Sequence, residues 1–173
     1  EVVKEEDLRI EVDGSRIRAI RAAANTLLTE EEILPITESD GEAVSEPDRD
    51  LLKMAVIERH HGSGRKGLGF VRGLGLRRGA LASTVAHDSH NLIVAGVNDE
   101  DMIAAARAVA GAGGGFAAVA DDRILARLPL PVAGLMSEWS LEEVREGMNE
   151  MLEAARSLGS PLSNPFMTLS FLA

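Results

Sequence analysis

Glycine interrupts the chain every few residues between Gly67 and Val97, and this limits what the chain can fold into more than any other feature. Gly67, Gly69, Gly73, Gly75 and Gly79 follow one another closely, with Gly96 further on. Each glycine inside a helix costs about 1 kcal/mol relative to alanine, so a long helix is excluded here. The apolar segments between them, 68–71, 80–86 and 91–97, are short and rich in small residues. They read as strand after strand, with glycines at bulges or where the backbone packs closely on a neighbour. No run of residues repeats with a fixed period.

The flanking regions complete the pattern. Residues 7–12 alternate apolar and polar, the period of a half-buried strand. Asp13-Gly14 reads as a turn. Residues 16–28 fit a second extended segment or, through the Ala-rich part, a helix. Residues 35–50 are polar, with prolines, glycines and acids, and read as a linker or surface loop. Residues 51–60 read as a strand carrying Met54, Val56 and Ile57, and 62–67 as a mobile connection.

Two helices carry explicit start signals. Asn98 caps the first, with Asp99, Glu100 and Asp101 at its positive dipole end. Its stripe is Met102, Ile103, Ala106, Val109 and Ala110, and Gly113-Gly-Gly115 stops it. Ser140-Leu-Glu-Glu143 has capping-box spacing and starts the second. Leu141, Val144, Met148, Met151, Leu152 and Ala155 fall on one face. Between the helices, residues 116–119 and 124–128 flank Asp121-Asp122 as a hairpin. The fold class expected is α+β, with mixed α/β as the alternative: a largely antiparallel sheet covered by two main helices. The 173 residues divide into N-terminal strands (1–34), a loop (35–50) and a main core (51–173).

Composition narrows the chemistry. Apolar residues make up 45% and charged residues 27%, a globular balance. Lys plus Arg is 18 against 28 Asp plus Glu, giving a net charge of −10. That leaves no electrostatic footprint for nucleic acid and no attraction to an anionic membrane. Cysteine is absent, which excludes disulfides, thiolate nucleophiles and Cys-ligated zinc. No apolar run approaches the roughly 18 residues of a membrane span, and the charged start holds no signal-peptide core. That start lacks methionine and the end is abruptly apolar, so a fragment of a longer chain is expected.

The densest polar cluster in an apolar setting is His87-Asp88-Ser89-His90-Asn91. If extended, it puts Asp88 and His90 on one face and His87, Ser89 and Asn91 on the other. A carboxylate beside an imidazole orients the ring and raises its basicity, which suits a general base. The competing reading is a polar turn satisfied by its own backbone. His60 and His61 are adjacent and, in a strand, point to opposite faces, so they read as a solvated strand end. No His-x-His and no His pair at i,i+4 spacing occurs, and with four His in total no self-contained metal site is expected. Gly67-x-Gly69 and Gly73-x-Gly75 lack the Lys-Ser/Thr of a phosphate loop and the strand–glycine–helix order of a dinucleotide site. Glu30, Glu31 and Glu32 read as a solvated face.

Several ordered stretches carry a resemblance. Leu68-Gly-Phe-Val-Arg-Gly-Leu-Gly-Leu-Arg-Arg-Gly-Ala80 is followed by Ser83-Thr-Val-Ala-His-Asp-Ser-His-Asn91. Asn98-Asp-Glu-Asp-Met102, Leu128-Pro-Leu-Pro-Val-Ala-Gly-Leu-Met136 and Asn164-Pro-Phe-Met-Thr-Leu-Ser-Phe-Leu172 come later. Together they resemble the C-terminal domain of microbial adenine deaminases, in the amidohydrolase superfamily, well over residues 51–173 and loosely before. The resemblance implies a cytoplasmic enzyme of purine salvage that hydrolyses adenine to hypoxanthine and ammonia with a metal-activated hydroxide. It implies a homo-oligomer and a divalent metal, manganese or iron, held on a TIM-like barrel. Such a barrel needs about 250 residues, so none is expected in this chain. No metal ligand carries over to any position here, and the isolated chain is expected to be inactive. The 87–91 segment does match the family pattern. Asp88 and His90 are therefore auxiliary catalytic candidates, and His87, Ser89 and Asn91 substrate-binding candidates. A purely structural or oligomer-building domain and a small-molecule regulatory module are the alternatives.

Overall fold

The computed structural model describes residues 3–24, 26 and 28–173. The strands are β1 (Arg16–Ala22), β2 (Thr29–Pro35), β3 (Glu38–Ser39), β4 (Glu42–Ala43), β5 (Leu52–Ile57), β6 (Lys66–Arg72), β7 (Ala80–Ser83), β8 (Leu92–Gly96), β9 (Gly115–Ala120) and β10 (Arg123–Pro129). The helices are α1 (Asp99–Gly111), α2 (Leu141–Ser157) and α3 (Pro165–Ser170). Eight strands form one sheet in the order β10-β9-β7-β8-β5-β6-β1-β2, and β3 pairs with β4 apart from it. Every neighbouring pair in the sheet is antiparallel except β1 with β6. The fold is α+β, with an open sheet and no barrel among the described residues.

Strand alternation makes two cores, one on each face. Ala55, Ala80, Ala82, Leu92, Val94, Ala117 and Val119 pack with Met102, Ala105, Ala106 and Val109 of α1. Small side chains on both partners let this helix approach the sheet closely. A Cβ on Gly96 would lie 2.6 Å from Met102 Cγ, so glycine there is a packing requirement. The opposite face gathers Met54, Leu81, Ile93, Ala118 and Leu128 beneath Met151 and Ala155 of α2, Leu158 at its C-cap, and Phe166 and Leu169 of α3.

Local signals explain the helix starts. The Asn98 side chain accepts from the Asp101 amide at 2.7 Å, and Ser140 and Glu143 close a reciprocal capping box. Asp121 and Asp122 both take positive φ, as the tight turn between β9 and β10 requires.

Some expectations change. Residues 7–12 form no strand. The Asp7 carboxylate accepts from the Lys4 amide at 2.9 Å and winds Glu5–Leu8 into a 3-10 turn that buries Leu8. Ile10 and Val12 still bond the β3–β4 hairpin, through the Ala43 amide and the Gly41 carbonyl. Over 16–28 the extended reading holds as far as Ala22; Asn25 and Leu27 lie outside the described residues. Residues 35–50 hold the β3–β4 hairpin, a surface segment over 37–41 and mostly half-buried over 42–47, where Ser45 Oγ donates to the Gly96 carbonyl and accepts from the Lys53 amide. Along α2, Met151 and Ala155 are buried, and Val144, Met148 and Leu152 are partly so. Leu141, however, is 78% exposed, and Glu142 and Glu143 beside it in the first turn are exposed too.

Candidate functional site

One end of the sheet gathers the polar residues. β5 leaves it through residues 58–65, β7 through 84–91, and β10 through 130–140. These three connections meet around a turn at residues 87–89.

That turn is not extended. Asp88 and His90 have φ of 60° and 48°, so the chain folds back on itself. The Ser89 amide donates to the His87 carbonyl and the His90 amide to the Ala86 carbonyl, as in the self-satisfied turn. The left-handed conformation replaces strand alternation, so Asp88 and His90 do not share an extended face. Asp88 sits beside His87 instead, with Nδ1 to Oδ2 at 3.4 Å and side chains 92% and 58% exposed. The His87 ring stacks on Phe171 at 4.8 Å, and the His87 amide donates to the Ser170 carbonyl at 2.7 Å, so α3 and its end set the ring's place. His90 Nδ1 and Asn91 Oδ1 are buried and have no hydrogen-bond partner among the described residues. Buried polar atoms left unpaired are uncommon and frequently mark functional places. The Ser89 hydroxyl accepts from the Asn91 amide at 3.3 Å.

The residues that support the turn gave little warning in the sequence. Arg59 Nε donates to the His90 carbonyl at 2.6 Å and Nη2 to the Ala133 carbonyl at 2.7 Å. Burial lowers the guanidinium from its ordinary pKa. His60 and His61 are both exposed, as a solvated strand end requires, and His60 Nε2 also donates to the Ser89 carbonyl at 3.0 Å. Glu58 gathers the amides of His60, His61 and Ser63 and the Ser63 hydroxyl, which organises the 62–67 connection. Those bonds, the Ser63 hydroxyl foremost, hold its carboxyl well below the usual carboxylate range. The signal available was the run Glu58-Arg-His-His61 directly after an apolar strand.

A cleft of about 500 Å³ opens beside the turn, lined by Ile57, Glu58, Arg59, Lys66, Thr84 and Gly114 among others. None of residues 87–91 lines it. The Gly73 and Gly75 amides do bind an anion, but an internal one: Asp50 Oδ2 and Oδ1 accept them at 2.8 and 2.7 Å. Gly113, Gly114 and Gly115 serve close packing. A Cβ on Gly114 would meet Gly134 Cα at 2.3 Å, and Thr84 Oγ1 donates to the Gly134 carbonyl at 2.7 Å. Glu30, Glu31 and Glu32 lie on the edge strand β2, where they pair with Arg21, Arg18 and Arg72. Among the described residues no three His, Asp or Glu side chains converge as metal ligands. No described helix is long and apolar enough to cross a membrane.

Residues 26–173 match the family described as the adenine deaminase C-terminal domain. The chain is 48% identical to an adenine deaminase of Desulfatibacillum aliphaticivorans over 96% of its own length and 29% of that protein's. It is 50% identical to one from Oleidesulfovibrio alaskensis, over 97% of this chain and 30% of the relative. A Methanothrix thermoacetophila adenine deaminase is 46% identical over 99% of this chain and 30% of its own. The chain belongs to the adenine deaminase C-terminal domain family, and it spans about 30% of the length of these relatives.

Proposed function

We propose that this chain is the C-terminal part of a cytoplasmic adenine deaminase, and that its 87–91 turn closes the active site of the intact enzyme. The reaction is hydrolysis: adenine and water give hypoxanthine and ammonia. The resemblance puts a divalent metal, manganese or iron, on a barrel outside this chain, and among the described residues no three side chains converge as ligands. The turn's part is to bind and orient. Asp88 is free to accept from the exocyclic amine of adenine, and it orients the His87 ring, whose position Phe171 fixes by stacking. Ser89, His90 and Asn91 add hydrogen-bonding groups next to them. The observation that carries this reading is the coincidence, in one five-residue turn, of an exposed Asp–His pair, two left-handed residues and two unpaired buried polar atoms.

The test uses the full-length enzyme. His87→Ala, Asp88→Ala and His90→Ala should each lower kcat/KM for adenine roughly tenfold, about 1.4 kcal/mol of transition-state stabilisation. Metal content and melting temperature should stay near the parent's. Unchanged kcat/KM in all three variants refutes the proposal.

A second reading has its own support. Of the nine large apolar residues exposed on the described surface, six lie between positions 124 and 141: Ile124, Leu125, Val132, Met136, Trp139 and Leu141. Such a concentration suits a covered interface, with the barrel or in a homo-oligomer. On that reading the same three variants weaken assembly or stability first and leave activity per folded site alone.

A further inference from the structure

We infer that Arg59 is a positioning residue that holds the 87–91 turn in register with the 131–136 loop; its catalytic significance rests on the reading of the turn as an active-site closure. Arg59 follows β5 by two residues, and β5 is paired on both sides, with β6 and with β8. Its backbone is therefore fixed by the sheet. From there one planar fork reaches two carbonyls on two different connections, those of His90 and Ala133.

Both carbonyls belong to residues that resist their conformation. His90 has φ of 48° and Ala133 of 58°, and the left-handed region is unfavourable for either side chain. Strain of this kind persists only where the surroundings impose it. Arg59 is the group that touches both. The neighbouring sequence is shaped to admit it: a Cβ on Gly134 would lie 2.7 Å from Nη2 and 2.9 Å from Cζ. Thr84 holds the same loop from the other side, donating to the Gly134 carbonyl and accepting from the Gly115 amide at 2.7 Å. Among the described residues Arg59 forms no ion pair, so its donors serve backbone geometry rather than charge neutralisation. Lysine, with one compact ammonium in place of a planar fork, does not reproduce this bridge.

The experiment is hydrogen exchange on the full-length enzyme, read together with kinetics. In Arg59→Lys the amides of Ser89 and His90 should exchange at least tenfold faster while those of β5 and β8 keep the parent's rates. The variant should also lose roughly tenfold in kcat/KM for adenine. Combined with Asp88→Ala, the double variant should lose less than the product of the two single losses, because both act through one turn. Unchanged exchange at the turn overturns the inference, and so do losses that multiply in full. Faster exchange at the turn, with Asp88→Ala and His87→Ala both silent, supports the positioning and refutes only the catalytic reading. Arg59→Gln, which still reaches one carbonyl, repeats the measurement if the lysine variant fails to fold. Global unfolding of both variants overturns the inference too, since Arg59 then holds the domain rather than the turn.

Discussion

The two ends of the sheet are built from the same materials and treated oppositely. At one end, residues 73–79 link β6 to β7 and meet the residues that follow α2. Its left-handed positions include Gly73, Gly75 and Gly79, which adopt that conformation without strain, and also Asp50, Asp121 and Asp122. Its polar groups are answered internally: Asp50 takes the Gly73 and Gly75 amides, Leu158 the Arg77 amide, and Ser160 donates to the Leu74 carbonyl. At the other end left-handed positions fall on Asp88, His90 and Ala133 as well as on Gly62, Gly64, Gly113, Gly114 and Gly134, and two buried polar atoms stay unpaired. What sets the two ends apart is the pair of unpaired buried atoms, His90 Nδ1 and Asn91 Oδ1, at the end where the site is proposed.

Helix α2 runs between these ends and supplies the strongest test of the contrast. Met151→Asp puts an unpaired charge into the core and should cost at least about 4 kcal/mol, enough to unfold the domain in thermal melts. Leu141→Asp, on the exposed first turn, should move the melting temperature of the isolated chain by no more than a degree or two. Similar losses from both would erase the distinction between the ends.

Asp50→Ala comes next. It strips the acceptor from two backbone amides at its own end of the sheet and should destabilise the chain by about 3 kcal/mol in urea titrations. A loss below ~1 kcal/mol would mean that this end is not closed by Asp50. The smallest effect is expected at the end of the proposed site. Ala133→Gly relieves a left-handed alanine but adds freedom to the unfolded chain, so a net gain of about 0.5 kcal/mol is expected. A loss above ~1 kcal/mol would show that Ala133 is not strained.

The sequence disclosed what is decided locally. Asn98, Ser140 with Glu143, and Asp121-Asp122 act within a few residues of themselves, so both long helices and the β9–β10 hairpin were legible. β5 to β8 were legible from their apolar runs. What depended on distant partners was not. The alternation over 7–12 gave way to an Asp7 amide bond, and Leu141 fits the helical period yet is left exposed. The site divides in the same way. The polar cluster at 87–91 was visible by composition, but its left-handed fold, and Arg59 as its support, depend on residues brought together only by the sheet.

The place of the first hairpin has a practical consequence for where this unit can be cut. The family match begins at residue 26, inside the connection between β1 and β2. Yet among the described residues β1 is the only strand that β2 pairs with in the sheet, and β1 also covers β6 along Ala19, Ile20 and Arg21. A recombinant piece trimmed to that boundary would lose the strand between them. β2 would have no ladder, and β6 would show a bare edge carrying the buried Phe70 and Val71. Exposed apolar edges recruit one another, so such a piece should precipitate or form fibres where one beginning before Arg16 stays dispersed.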